Sequence, residues 1–159
     1  MKTVSVQILN NPGLLDEMRI FNNSYRMAFN RYTEGLSEKE VRAYVSQRIS
    51  HNSWFIQSSI KEAHSLFAVA GKKRVIFGGI HNFKQYMNGL ISKELFNYNR
   101  MVPVCLHGEM NNYGNRLVKF DLLNSRLIYK PSRNNHKEIQ FCPVKKKLAQ
   151  ELAKVQELA

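Results

Sequence analysis

Residues 74–100 read RVIFGGIHNFKQYMNGLISKELFNYNR, and their reading decides the fold. Val75, Ile76 and Phe77 form a short apolar run of the kind that makes a strand. Gly78-Gly79 breaks it. From Gly78 to Gly89 no steady period holds. Ser92 then offers a cap for a short helix to about Asn97. An aromatic ring or a cation recurs every few residues: Phe83, Lys84, Tyr86, Lys93, Phe96, Tyr98, Arg100. The stretch is either an irregular piece of core or a surface that holds a nucleic acid.

On its N-terminal side, Lys2–Leu9 alternates, with Val4, Val6 and Ile8 on one face, as a half-buried strand does. Asn10-Asn11-Pro12-Gly13 ends it in a turn. Leu14, Met18, Phe21, Tyr25, Ala28 and Tyr32 recur at steps of three and four, one face of a helix. Arg19, Arg26 and Arg31 lie off that stripe and are expected in solvent. Ser37-Glu38-Lys39-Glu40 is a capping box opening a second helix with Val41, Tyr44, Val45 and Ile49. Asn52 or Ser53 can cap a third, carrying Ile56, Ile60, Ala63 and Phe67 and stopped by Gly71. Trp54 is a core anchor or a stacking platform. Residues 14–70 thus read as a three-helix unit.

On the C-terminal side the signals are mostly strands. Val102–Leu106 is strand-like, with Pro103 placing it at an edge or a start. Val118, Phe120 and Leu122 alternate with Lys119 and Asp121; Asn124-Ser125 marks a turn, and Arg126–Lys130 returns. Ile139 and Phe141 share a face of another strand. Leu148, Leu152, Val155 and Leu158 give a helix over 144–159. A lone first strand is not stable by itself, so Lys2–Leu9 is expected to pair with strands of the second half. The fold class is α+β. Residues 1–13 and 71–143 make one antiparallel sheet or small β-barrel, 14–70 is a three-helix insertion, and 144–159 is a C-terminal helix.

The chain has 159 residues, 43% hydrophobic, enough for a core and too many for a disordered protein. No apolar run approaches the roughly 20 residues of a membrane span, and the first residues do not resemble a signal peptide. Cys105 and Cys142 lie in apolar contexts and read as reduced core thiols of a cytoplasmic protein. The net charge is +12. Residues 1–66 carry 8 basic and 6 acidic side chains, residues 67–159 carry 16 and 6. The excess therefore sits in the second part, beside most of the Asn and many aromatics, and favours a polyanionic partner over a merely soluble basic surface.

Catalytic signals are weak. There is no GxxxxGK[ST], no GxGxxG after a strand and no HExxH. The acidic residues of the second half are scattered, whereas a Mg²⁺-dependent nuclease needs carboxylates that converge. The expectation is a binder with no catalytic residues, metal site or cofactor. Phosphate contact needs cations and Asn; the candidates are Lys72, Lys73, Arg74, Lys84, Arg100, Asn115, Arg116, Lys119, Lys130 and Arg133. Unpaired bases stack on aromatic faces; the candidates are Tyr86, Tyr98, Tyr113 and Tyr129. Lys145, Lys146 and Lys147 open a helix, the unfavourable end for cations. They are a solvated face or a site where a polyanion offsets the charge.

Lys72–Phe120 also resembles the N-terminal region of TnpB-type (OrfB) proteins of bacterial insertion sequences, relatives of the type V CRISPR effectors. The resemblance rests on the basic run before Val-Ile-Phe-Gly-Gly, on Phe83-Lys84, on Ile91-Ser92-Lys93-Glu94, on Arg100, on Gly108-Glu109 and on Gly114-Asn115-Arg116 with Phe120. Gly79–Lys93 departs from the family pattern, notably at Ile80-His81. The resemblance implies a wedge-like β-barrel with an inserted helical recognition lobe. It implies binding of a structured guide RNA and of the RNA–DNA heteroduplex with target DNA. It also implies that a RuvC-like nuclease half, supplied elsewhere, would be the catalytic partner. The alternatives are an N-terminal fragment of an active endonuclease, or a truncated relative acting as inhibitor or protein-binding scaffold. On this reading Arg74–Phe77 is a barrel strand, and Gly78–Arg100 is a basic connector with core on one side and RNA on the other.

Overall fold

The apolar spacing over 14–32 becomes helix α1 (Gly13–Thr33) in a computed structural model that describes residues 13–107, 115, 117–122, 124–132 and 135–143. Phe21, Tyr25, Ala28, Phe29 and Tyr32 are its buried stripe. Arg19 is exposed as expected. Arg26 and Arg31 are half-buried instead, and the Arg31 guanidinium lies 4.7 Å over the Tyr44 ring, a favourable cation–π position.

Helix α2 (Glu38–Arg48) starts at the expected capping box. The Ser37 hydroxyl accepts from the Glu40 N–H at 3.5 Å, and the Glu40 carboxylate accepts from the Ser37 N–H at 2.8 Å. Helix α3 (Ser53–Ala70) starts at Asn52, whose side-chain oxygen accepts from the Trp54 N–H at 2.9 Å. Gly71 ends it in a left-handed conformation (φ +57°), its N–H bonding the Phe67 carbonyl at 2.7 Å. Trp54 is only half-buried; Phe55 is the anchor, edge-on to Phe21 at 5.5 Å. Val41, Val45, Ile56, Ile60 and Ala63 close the core over the α1 stripe.

The sequence expectation fails at Val75–Phe77, which forms no strand. Its apolar side chains serve the helical core: Val75 and Phe77 pack on it. The Phe77 ring meets Tyr25 and Phe29 edge-on at 5.7 and 5.6 Å. The supposed strand Val102–Leu106 is likewise absent. There the side-chain amide of Asn22 does what a neighbouring strand would do. It accepts from the Val102 N–H at 2.8 Å and donates to the Val102 carbonyl at 3.0 Å. Between these two segments lie α4 (Gly79–Met87), which the sequence reading missed, and α5 (Lys93–Asn99), which starts at Ser92 as expected. Asp16–Cys105 forms one compact unit.

The described strands belong to a second unit, comprising Met1–Leu15 and Leu106–Ala159. β1 (Val118–Asp121), β2 (Arg126–Ser132) and β3 (Asn135–Gln140) make an open antiparallel sheet in that order. The Leu122–Ser125 connection carries Ser125 at φ +50°. Pairing of Val118 with Tyr129 and of Leu127 with Ile139 puts these residues and Phe120 on one face. Tyr129 and Ile139 are buried there, with Phe141 just beyond β3. The opposite face carries Lys119, Asp121, Arg126 and Glu138, with Ile128 among them. Arg126 donates to Asp121 at 2.7 Å and to Glu138 at 3.0 Å, tying all three strands. The chain is therefore α+β, with five helices and one small open sheet among the described residues.

The strand expected at 2–9 and the helix expected at 144–159 lie outside the described residues. Cys105 is exposed and Cys142 half-buried, so neither is the core thiol expected. No described helix is long and apolar enough to cross a membrane.

Candidate nucleic-acid interface

Between α3 and α5 the chain builds a cleft of about 310 Å³. It is lined by the segment Arg74–Phe77, by Phe83 and Tyr86 of α4, and by Phe96 and Arg100 at the end of α5. The spacing places these groups. Phe83 and Tyr86 are three residues apart, and Phe96 and Arg100 four apart, so each pair shares one helical side. The Tyr86 and Phe96 rings stack with centroids 4.4 Å apart and planes 12° from parallel. The Arg100 guanidinium lies 4.9 Å over the Phe96 ring.

Buried amides fix this arrangement. Asn82 on α4 is buried; its NH₂ donates to the Phe96 carbonyl at 3.2 Å, and its oxygen accepts from Asn99 at 3.0 Å. Gly78 lets the chain enter α4 against α5. Its φ is +81°, and a Cβ there would stand 2.9 Å from the Asn99 carbonyl oxygen and 2.9 Å from Arg100 Cγ. Past Arg100, the Asn22–Val102 hydrogen bonds anchor the exit to α1.

The electrostatics are one-sided. Residues 72–100 hold six Lys and Arg and one acidic residue, Glu94. Lys72, Lys73, Arg74, Lys84 and Lys93 are exposed. Burial lowers the pKa of Arg26 from its ordinary value, and the neighbouring Arg100 charge lowers it further. The two like charges thus disfavour one another. On α4, α5 and the connection between them, Ile80, Met87, Leu90 and Leu95 are exposed apolar side chains, and Tyr98 is exposed too.

Of the residues predicted from sequence to bind nucleic acid, Lys72, Lys73, Arg74, Lys84, Tyr86 and Arg100 fall in this one stretch, and Arg74, Tyr86 and Arg100 line the cleft. In the sheet unit, Lys119 and Lys130 are exposed, and the register puts both on the face opposite Tyr129. Tyr129 is buried, so its ring is not open to stack on a base. Asn115 uses its amide internally, donating to the Leu106 carbonyl at 3.0 Å and accepting from the Leu117 N–H at 2.9 Å. Tyr113, Arg116, Arg133, Lys145 and Lys146 lie outside the described residues.

Sequence reasoning missed Phe83 and Phe96 as members of the site, and it placed the half-buried Arg26 in solvent. The Phe83/Tyr86 and Phe96/Arg100 spacings were the available signal. Nothing local to Arg26 marks it, because Arg100 approaches it only through the fold. No curated protein and no solved structure matches the chain. The family comparison does match, over residues 3–159: the chain belongs to the SSO2105 N-terminal domain family.

Proposed function

We propose that the chain is an RNA-binding module, equivalent to the barrel and recognition lobe of a TnpB-like or type V CRISPR-like system and without a nuclease centre of its own. The observation that carries the reading is the cleft in which Arg74 and Arg100 meet the rings of Phe83, Tyr86 and Phe96, on a stretch with six basic residues and one acidic one. Cations and aromatic faces together suit a backbone phosphate and a base, where cations alone would suit any polyanion.

In its finer form, the reading makes the three-stranded sheet part of a wedge-like barrel. Exposed Lys119 and Lys130 then supply further phosphate contacts. The setting is the cytoplasm, and the ligand is a structured guide RNA and its heteroduplex with target DNA. A second reading, docking of a partner protein, is favoured by the exposed Ile80, Met87, Leu90 and Leu95.

The decisive experiment is to sequence the RNA that copurifies with the chain and to titrate that RNA at several salt concentrations. Several phosphate contacts cost orders of magnitude in affinity between about 50 and 200 mM salt. Lys84→Ala, an exposed position, weakens binding without changing the circular dichroism spectrum. A flat salt response removes the nucleic-acid reading and leaves the protein-docking one.

A further inference from the structure

Resting on that reading, we infer that the cleft takes one unpaired nucleotide of an RNA strand, its base against Phe83 and Tyr86 and its phosphate on Arg74 and Arg100. Size is the first argument. At about 310 Å³ the cleft is at the small end of ligand sites. It has room for one base with its sugar.

Chemistry is the second argument. A base inside a helix hides both faces against its neighbours, and proteins read such helices by backbone and shape. An aromatic wall has no partner there. A splayed base offers a free face, and Phe83 is an exposed ring at the cleft with nothing stacked on it among the described contacts. Tyr86, by contrast, is already braced by Phe96. It forms a rigid wall at little cost in side-chain entropy on binding.

Charge is the third argument. Arg100 is held on the Phe96 face beside a second guanidinium, Arg26, and Arg74 comes in from the preceding segment. Arg74 and Arg100 line the same cleft as the two rings, so a phosphate there meets cations while its base meets an aromatic face. The cleft thus marks the point at which a strand leaves a structured RNA and its first unpaired base is captured.

The test uses the full chain and three probes: a short single-stranded RNA with a central 2-aminopurine, the same strand with an abasic centre, and the same strand annealed to its complement. The intact single strand binds about tenfold more tightly than the abasic one, and its 2-aminopurine fluorescence is quenched on binding. Phe83→Leu keeps the apolar bulk but removes the ring. It brings the ratio of intact to abasic affinity close to one and leaves duplex affinity unchanged. Equal binding of intact and abasic strands by the unmodified chain, or a ratio unaffected by Phe83→Leu, overturns the inference. Steeply salt-dependent duplex binding in that case leaves the RNA-binding reading standing. Failure of all three probes at low salt removes both.

Discussion

Replacing Gly78 by Ala, with Gly79→Ala beside it, separates two causes that sequence alone runs together. Both glycines have left-handed backbone, φ +81° and +79°. Either substitution therefore imposes the strain of an L-residue in that region, about 1 kcal/mol. Only Gly78 adds crowding. Its new Cβ would lie 2.9 Å from the Asn99 carbonyl oxygen, 2.9 Å from Arg100 Cγ and 3.0 Å from Asn82 Nδ2, whereas nothing stands within 4 Å of a Cβ at Gly79. The carbonyl is backbone and cannot swing aside, and the Asn82 amide is committed to the Phe96 carbonyl. Overpacking of this kind costs about 1–3 kcal/mol, so Gly78→Ala loses about 2–4 kcal/mol in all and Gly79→Ala about 1. In thermal unfolding followed by far-UV circular dichroism, the difference puts the Gly78 variant roughly 2–12 °C below the Gly79 variant. Equal midpoints for the two variants would refute the close approach of α4 and α5. Among folded molecules, Gly78→Ala also displaces Arg100, so RNA affinity falls for it and holds for Gly79→Ala.

The remaining expectations concern the rest of the scaffold. Asn22→Ala leaves both backbone groups of Val102 without their partner and costs about 2–4 kcal/mol in urea unfolding; a loss within error of zero would mean that water replaces the amide freely. Tyr32 has a buried hydroxyl with no partner among the described residues, and burial, with Glu38 second, pushes its pKa up to about 12. The unfolded chain therefore loses that proton first, near pH 10, and Tyr32 contributes a fall in stability between about pH 10 and 12 that Tyr32→Phe removes. Identical alkaline melting profiles for the two proteins would contradict this. Asp121 is held down at about 2 by hydrogen bonds from Asn124 and then Arg126. Its contribution is present above the unfolded value near 3.8 and is lost as pH falls towards 2, so Asp121→Asn flattens the acid limb of the stability profile.

Legibility followed the local signals. Helices α1–α3 could be read because their apolar residues repeat at three and four and face a core, and because Ser37, Asn52 and Gly71 punctuate them chemically. The β1–β2 hairpin could be read because alternation and a polar turn coincide. Val75–Phe77 misled because three apolar residues in a row carry no period, and what decides their state is a long-range contact of Phe77 with Tyr25 and Phe29. α4 escaped for a different reason. It starts at two glycines with no side-chain cap, and its Ile80–Phe83–Met87 spacing looks helical only if those residues are allowed to face outward. The cations of the site were legible from composition. Their assembly with Phe83 and Phe96 was not, since it depends on that helix.

The outward-facing side chains raise the question of what keeps the cleft open. Each wall is secured separately. Phe77 pins the Arg74–Phe77 segment into the helical core, Asn82 bolts α4 to α5, and Asn22 holds the chain just past Arg100. These contacts fix the backbone while leaving Phe83, Lys84 and Arg74 at the surface. A site built this way is organised before its ligand arrives and loses little conformational freedom on binding. It also ties stability to function in a particular pattern. Asn22→Ala and Gly78→Ala disturb both, because they move the walls, whereas Phe83→Leu and Lys84→Ala leave the anchors untouched. If RNA affinity instead tracked melting temperature across all four variants, the cleft would be a by-product of folding and the exposed rings would have no separate role.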